Sequence, residues 1–206
     1  VKTVLLLTAD TYSKFILPMD RSACTLFGDG AAATVLSATN DDAKGLQAFL
    51  FGTDGRGAKQ LMVPAGGFRT PRSPQTAVAM TDADGNTRTA ENLYMNGRDV
   101  FRFAITTVPK TVAQLMEDGG LTKETVDYLV LHQANRYIID QLVRKMQWPA
   151  EKVPVHLERL GNTVSSSIPF ALEQMMADGR LTHGKRLLLV GFGVGYSWAG
   201  CRVVWA

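Results

Sequence analysis

The sequence predicts an α/β fold, and three observations predict it. Apolar runs of strand length recur at residues 4–7, 128–131 and 187–190. Segments with helical spacing lie between these runs, over 99–117, 135–146 and 165–178. One unit, an apolar strand followed by a Phe-Gly-x-Gly turn and a second strand, occurs twice, at Phe27-Gly-Asp-Gly and at Phe192-Gly-Val-Gly. The second copy closes a full run of strands and helices. The first closes a run whose beginning would precede Val1, so the chain reads as one whole α/β unit behind the tail of a similar one.

Taken in order, residues 1–8 are expected to form a buried strand and 12–22 a mixed loop. The Phe27 turn then feeds a small-residue strand, and 45–52 is another strand. Residues 53–91 are rich in Gly, Pro, Asp and Thr and lack periodicity, which predicts a surface or substrate-side excursion. Within it, Asp82-Ala-Asp-Gly-Asn resembles the start of a calcium loop. Thr87 stands where such a loop needs Gly and Leu93 where it needs Glu, so a hairpin turn is expected instead. Val100, Phe101, Phe103, Ala104, Val108, Val112 and Leu115 make a broad apolar stripe, ended by Gly119-Gly120. The helix over 135–146 turns Ile138, Ile139, Leu142 and Val143 inward. The helix over 165–178 carries Pro169 early, and Asn-Thr-Val-Ser at 162–165 is expected to cap it. Strands at 187–190 and 198–205 end the chain.

Composition narrows the function classes. An apolar content of 46% with 20% charge is that of an ordinary globular domain. No apolar run approaches the ~18 residues of a membrane span. A net charge of +3 is too small to argue for nucleic acid. Cys24 and Cys201 are expected to be buried thiols, with neither a disulfide framework nor a metal site. Val1 opens on a strand with no basic start or cleavage site, so no signal peptide is expected and a cytoplasmic setting fits. The absence of an initiator Met suggests a piece of something longer.

The chemistry is expected around Tyr128–Asn162. The strand at 128–131 ends in His132, Gln133 and Asn135, and ligands in open α/β sheets sit beyond such carboxyl ends. Thirty residues on, Gly161-Asn162 places another polar side chain on a turn before a helix. Each alone is as readily a structural histidine or a helix cap. As a pair they are two neutral donors able to converge on one oxygen. The glycines at 191–195 are weak as a phosphate loop, because a strand follows rather than a helix. They could instead let backbone N–H groups approach a reacting carbonyl.

His132-Gln-Ala-Asn, Gly161-Asn-Thr-x-Ser-Ser-Ser-Ile-Pro, Gly191-Phe-Gly-x-Gly and Phe27-Gly-Asp-Gly-Ala together resemble the β-ketoacyl-acyl-carrier-protein synthase III enzymes of the thiolase fold, along essentially the whole chain. The resemblance implies a thiolase-like fold. Residues 39–206 would be its C-terminal half, a mixed five-stranded sheet with helices on both faces, and 1–38 the last two strands of the N-terminal half. It implies fatty-acid synthesis (or related polyketide synthesis), with acyl-CoA and malonyl-ACP as partners, a homodimer, and no cofactor or metal. His132 and Asn162 match the catalytic His and Asn, Phe192 an aromatic beside the nucleophile, and the Val194 backbone an oxyanion-hole donor. Asn135 matches a residue near the CoA arm. Tyr137 stands where members often have a docking Arg, and the adjacent Arg136 is the candidate substitute. The nucleophilic Cys of that family lies upstream of the segment matching Val1, and neither Cys24 nor Cys201 takes its place. The chain alone is therefore expected to be inactive. Two alternatives remain open: a thiolase-fold acyltransferase using another acceptor, and a non-acylated subunit or scaffold. For carrier docking the candidate charges are Arg98, Arg102, Arg136, Arg144 and Lys145, which could equally be a solvated helix face.

Overall fold

A computed structural model describes residues 1–41 and 44–206. The chain runs through β1 (Thr3–Asp10), α1 (Arg21–Cys24), β2 (Gly30–Ser37), β3 (Gly45–Thr53), β4 (Leu61–Met62), β5 (Met80–Thr81), β6 (Thr87–Arg88) and β7 (Tyr94–Met95). It continues through α2 (Gly97–Glu117), β8 (Tyr128–Leu131), α3 (Arg136–Met146), α4 (Ser167–Ala177), β9 (Arg186–Gly193) and β10 (Ser197–Val204).

The main sheet has the order β3-β10-β9-β8 and is mixed. β8 and β9 run parallel, with Leu131 opposite Val190, and the other two pairings are antiparallel. Leu129, Leu131, Leu188, Val190 and Phe192 point to one face and pack with α2 and α3 residues such as Phe103, Val108 and Ile139. Val130, Leu187, Cys201 and Val203 point to the other and meet Ala171 and Met175 of α4. Helices thus cover both faces, which is why β8 and β9 are uninterrupted apolar runs rather than alternating ones.

Among the described residues this sheet has four strands, one fewer than expected. The segment at 153–156 follows β8 in the chain and is extended at Val153, but it forms no ladder. Pro154 has no N–H to give to one, and the buried Gln133 side chain serves the segment instead. Its amide donates to the carbonyls of Leu131 at 2.7 Å and Pro154 at 3.3 Å and accepts from the His156 N–H at 2.9 Å.

Two sequence expectations fail on burial. Among the described residues β1 pairs only with β2, and Leu5 and Leu7 are 59% and 67% exposed. An apolar run predicts a strand, but two strands alone cannot bury a face. Cys24 is exposed because it ends α1, a single turn on the surface, while Cys201 is buried in β10 as expected.

Other elements follow their local chemistry. The Asn96 side chain caps α2 by accepting from the Asp99 N–H. α2 buries Phe103, Ala104, Val108, Val112 and Leu115 of the expected stripe. The hairpin expected around Asp82 is present between β5 and β6, with the Asp82 carboxylate accepting from the Asp84 and Asn86 N–H groups. β4 pairs with β7, which sets Leu61 opposite Met95. Among the described residues no helix is long and apolar enough to cross a membrane.

Candidate active site

His132 directly follows β8, and its backbone N–H continues the ladder to the Val190 carbonyl at 2.9 Å. That bond fixes where the imidazole leaves the sheet. The ring meets the Phe192 ring edge-on, 82° between planes and 5.4 Å between centroids. Nδ1 of His132 lies 2.6 Å from the Ser167 hydroxyl at the start of α4. One ring edge borders a cavity, yet protein surrounds the imidazole deeply, and burial pushes its pKa down to about 4. At neutral pH it is uncharged.

Asn162 is placed by a different contact. Its backbone forms an isolated parallel bridge with Phe27: the Asn162 N–H donates to the Leu26 carbonyl at 2.8 Å, and the Gly28 N–H to the Asn162 carbonyl at 2.9 Å. The Asn162 side-chain oxygen accepts the Val164 N–H at 2.9 Å. That bond turns its carbonyl oxygen toward the protein backbone, and among the described residues the NH2 has no such protein partner. The 3₁₀ turn that follows, Val164–Ser166, is tied to β1. The Ser165 N–H donates to the Asp10 carboxylate at 3.1 Å, and the Thr8 and Ser166 hydroxyls are 2.9 Å apart. α4 therefore begins two residues later than expected. Asn162 braces the turn before it rather than capping it directly.

His132, Asn162, Phe192, Val194 and Asn135 all line one cavity of about 310 Å³. Much of its remaining wall is apolar, from Leu26, Phe27, Leu61, Met95, Phe103 and Ile168. Leu61 comes from the excursion at 53–91, held in place by the β4–β7 pairing. Asn135 also caps α3, its side-chain oxygen accepting the Ile138 N–H at 2.8 Å. Arg136 does not join the cavity wall. Its guanidinium is exposed and reaches Asp140 at 3.4 Å and Glu158 at 3.6 Å, an ordinary solvated arrangement. Neither cysteine lines the cavity, and burial raises the Cys201 thiol to about 11, far from a reactive thiolate.

Sequence reasoning missed Ser167, the bracing task of Gln133 and the clasp from Leu26 to Gly28. A run of three serines beside Asn162 was a signal, but it does not say which one faces His132.

Chemically, the cavity offers an uncharged imidazole, a carboxamide NH2, an aromatic ring beside them and a mostly apolar wall. Such a site suits an oxygen that gains negative charge during reaction, because donors fixed in a low-dielectric pocket need no reorganisation.

The chain is similar to known proteins along nearly its whole length. The family model described as 3-oxoacyl-[acyl-carrier-protein (ACP)] synthase III C terminal matches residues 116–205, and the model for 3-oxoacyl-[acyl-carrier-protein (ACP)] synthase III matches 1–55. The chain is 38% identical over 201 residues to a β-ketoacyl-[acyl-carrier-protein] synthase III of Symbiobacterium thermophilum, covering 98% of this chain and 58% of that protein. It superimposes on a crystal structure of a 3-oxoacyl-(acyl-carrier-protein) synthase III with a TM-score of 0.96 and 53% identity, covering 98% of this chain and 60% of that one. The priming β-ketosynthase from the R1128 polyketide pathway gives a TM-score of 0.78 at 30% identity, covering 98% and 57%. The chain thus spans about three-fifths of the length of the relatives it matches. On these matches and its thiolase-like α/β architecture, the chain belongs to the 3-oxoacyl-[acyl-carrier-protein] synthase III family.

Proposed function

We propose that this chain is the larger part of an acyltransferase that condenses an acyl group from acyl-CoA with malonyl-ACP in fatty-acid synthesis. A cysteine thiolate outside this chain attacks the acyl-CoA carbonyl and takes the acyl group as a new thioester, and the bond to CoA breaks with CoA leaving as its thiolate. Malonyl-ACP then enters, and the bond between its Cα and carboxylate breaks. The electron pair passes into the thioester as an enolate, and CO2 leaves. Cα attacks the acyl carbonyl, the new C–C bond forms, and the cysteine departs as thiolate.

Within that sequence, His132 donates from Nε2 and Asn162 from its NH2 to the enolate oxygen. Phe192 leaves the malonyl carboxylate poorly solvated, which disfavours it relative to neutral CO2. The Val194 N–H faces the oxygen of the tetrahedral intermediate. Asn135 contacts the CoA or carrier arm, and Arg136 the acidic carrier protein at the rim. Residues 1–38 are the tail of the N-terminal half and 39–206 the C-terminal half. The rest of the N-terminal half would cover the exposed leucines of β1, and the whole protein would be a homodimer. By itself the chain lacks the nucleophile and would be inactive.

One observation carries the proposal. Nδ1 of His132 lies 2.6 Å from the Ser167 hydroxyl and the carbonyl oxygen of Asn162 accepts a backbone N–H at 2.9 Å, so the other ring nitrogen and the Asn162 NH2 are the groups left to meet a ligand in the shared cavity. The test is malonyl-ACP decarboxylation by the whole protein. Asn162→Ala should slow it at least about a hundredfold, the usual cost of one oxyanion donor, and an unchanged rate would remove the assignment. The likeness to a priming polyketide ketosynthase supports a second reading in which the same steps start a polyketide. Comparing the carrier proteins of the two pathways as acceptors separates the two.

A further inference from the structure

Ser167 touches His132 and has no task in the condensation described so far. It is buried, it is the first residue of α4, and it stands five residues beyond Asn162. Its Oγ is 2.6 Å from Nδ1 of His132 and also receives the backbone N–H of Gln133 at 3.3 Å. A hydroxyl carries one hydrogen and two lone pairs. Were His132 protonated at Nδ1, Oγ would face two donors. Its own hydrogen would then have to find an acceptor other than His132 in a buried place, where an unmade bond is costly. Were the hydroxyl to donate instead, the Gln133 N–H, Oγ, its hydrogen and Nδ1 would all be used.

We propose that Ser167 is a positioning residue: its O–H donates to Nδ1 of His132 and so holds the imidazole proton on Nε2, the nitrogen left for a substrate oxygen. The inference rests on the reading of His132 as a donor to that oxygen, and it deepens that reading. It also explains how the two donors keep their spacing. The short path from Asn162 through the 3₁₀ turn to Ser167 makes one segment carry the carboxamide and orient the imidazole. The depressed basicity of His132 agrees, since a neutral ring has two tautomers to choose between.

The test uses the whole protein with ¹⁵N-labelled histidine at neutral pH. The ring shifts of His132 should show Nε2 protonated and Nδ1 bare. In Ser167→Ala both nitrogens should move to intermediate values as the tautomers mix, and malonyl-ACP decarboxylation should fall about tenfold, the size of one lost orienting bond. Ser167→Thr, which keeps the hydroxyl, should restore the bare Nδ1. The shift of His156, whose Nε2 lies 2.8 Å from the Arg180 guanidinium, and the far-UV circular dichroism report whether each variant is folded. A native Nδ1–H tautomer, or an unchanged tautomer in Ser167→Ala, overturns the proposal. Loss of the decarboxylation reading would show instead as a native protein that does not decarboxylate, whatever the ring shifts say.

Discussion

The two Phe-Gly-x-Gly turns share a sequence pattern but do different work. At Phe27-Gly28 the turn is a clasp. Gly28 donates to the Asn162 carbonyl, and a Cβ on Gly28 would overlap the carbonyl oxygen of Leu160. At Phe192-Gly193 the turn is a wall. Both residues line the cavity, and a Cβ on Gly193 would meet nothing within 4 Å. In the first turn glycine is needed because another backbone presses against it. In the second it leaves room where a ligand would sit. One turn places Asn162 and the other shapes the space that Asn162 faces.

The largest expected effect is at the clasp. Gly28→Ala must push the Leu160–Asn162 segment away, costing about 3 kcal/mol or more of stability. Thermal unfolding of the whole protein should show a clear drop in Tm, with decarboxylation lost alongside. A variant of native Tm and full activity would mean that the clasp does not place Asn162. Next comes the wall. Gly193→Ala should leave Tm within about 2 °C of native, since nothing in the protein meets the added methyl. It should raise KM or lower kcat by about tenfold, because the methyl takes space from the substrate. Equal destabilisation by the two alanines would erase the distinction between clasp and wall.

The smallest effect is in pH dependence. Protonation would put a charge on the buried His132 ring and take from Nδ1 the lone pair that faces Ser167, so decarboxylation should persist below pH 6.5 and fall only as pH approaches about 4. The sign for stability follows. The folded pKa lies below the unfolded one, so the unfolded state takes up the proton first. The stability held above pH 6.5 is therefore lost progressively as pH falls toward 4. Phe192→Ala admits water beside the ring and should move the acid limb of the rate profile upward, toward the ordinary histidine value. A limb that stays in place would show that Phe192 does not keep the ring dry.

Much of this was legible in the chain itself. β8 and β9 show as continuous apolar runs because both faces of the sheet are covered, and α2 and α3 show through their stripes. His132 and Asn162 stood out because each follows a strand or turn and precedes a helix, and the structure brings both to one cavity. What stayed hidden depends on partners distant in sequence. Gly28 meets Asn162 across more than a hundred residues, and no local pattern encodes that pairing. Ser165, Ser166 and Ser167 look alike in sequence, and the 3₁₀ turn decides that only the last reaches His132. Gln133 reads as a neighbour of the histidine, whereas its amide replaces the ladder that Pro154 prevents. The burial expected for β1 failed because an apolar run reports strand formation and not what lies over it.

The most direct test of the central claim is a crystal structure of the whole protein with a stable malonyl-thioester analogue whose thioester oxygen carries negative charge. The account predicts that oxygen within about 3 Å of both Nε2 of His132 and the carboxamide nitrogen of Asn162. An oxygen that touches only one of them, or that points away from both, would contradict it.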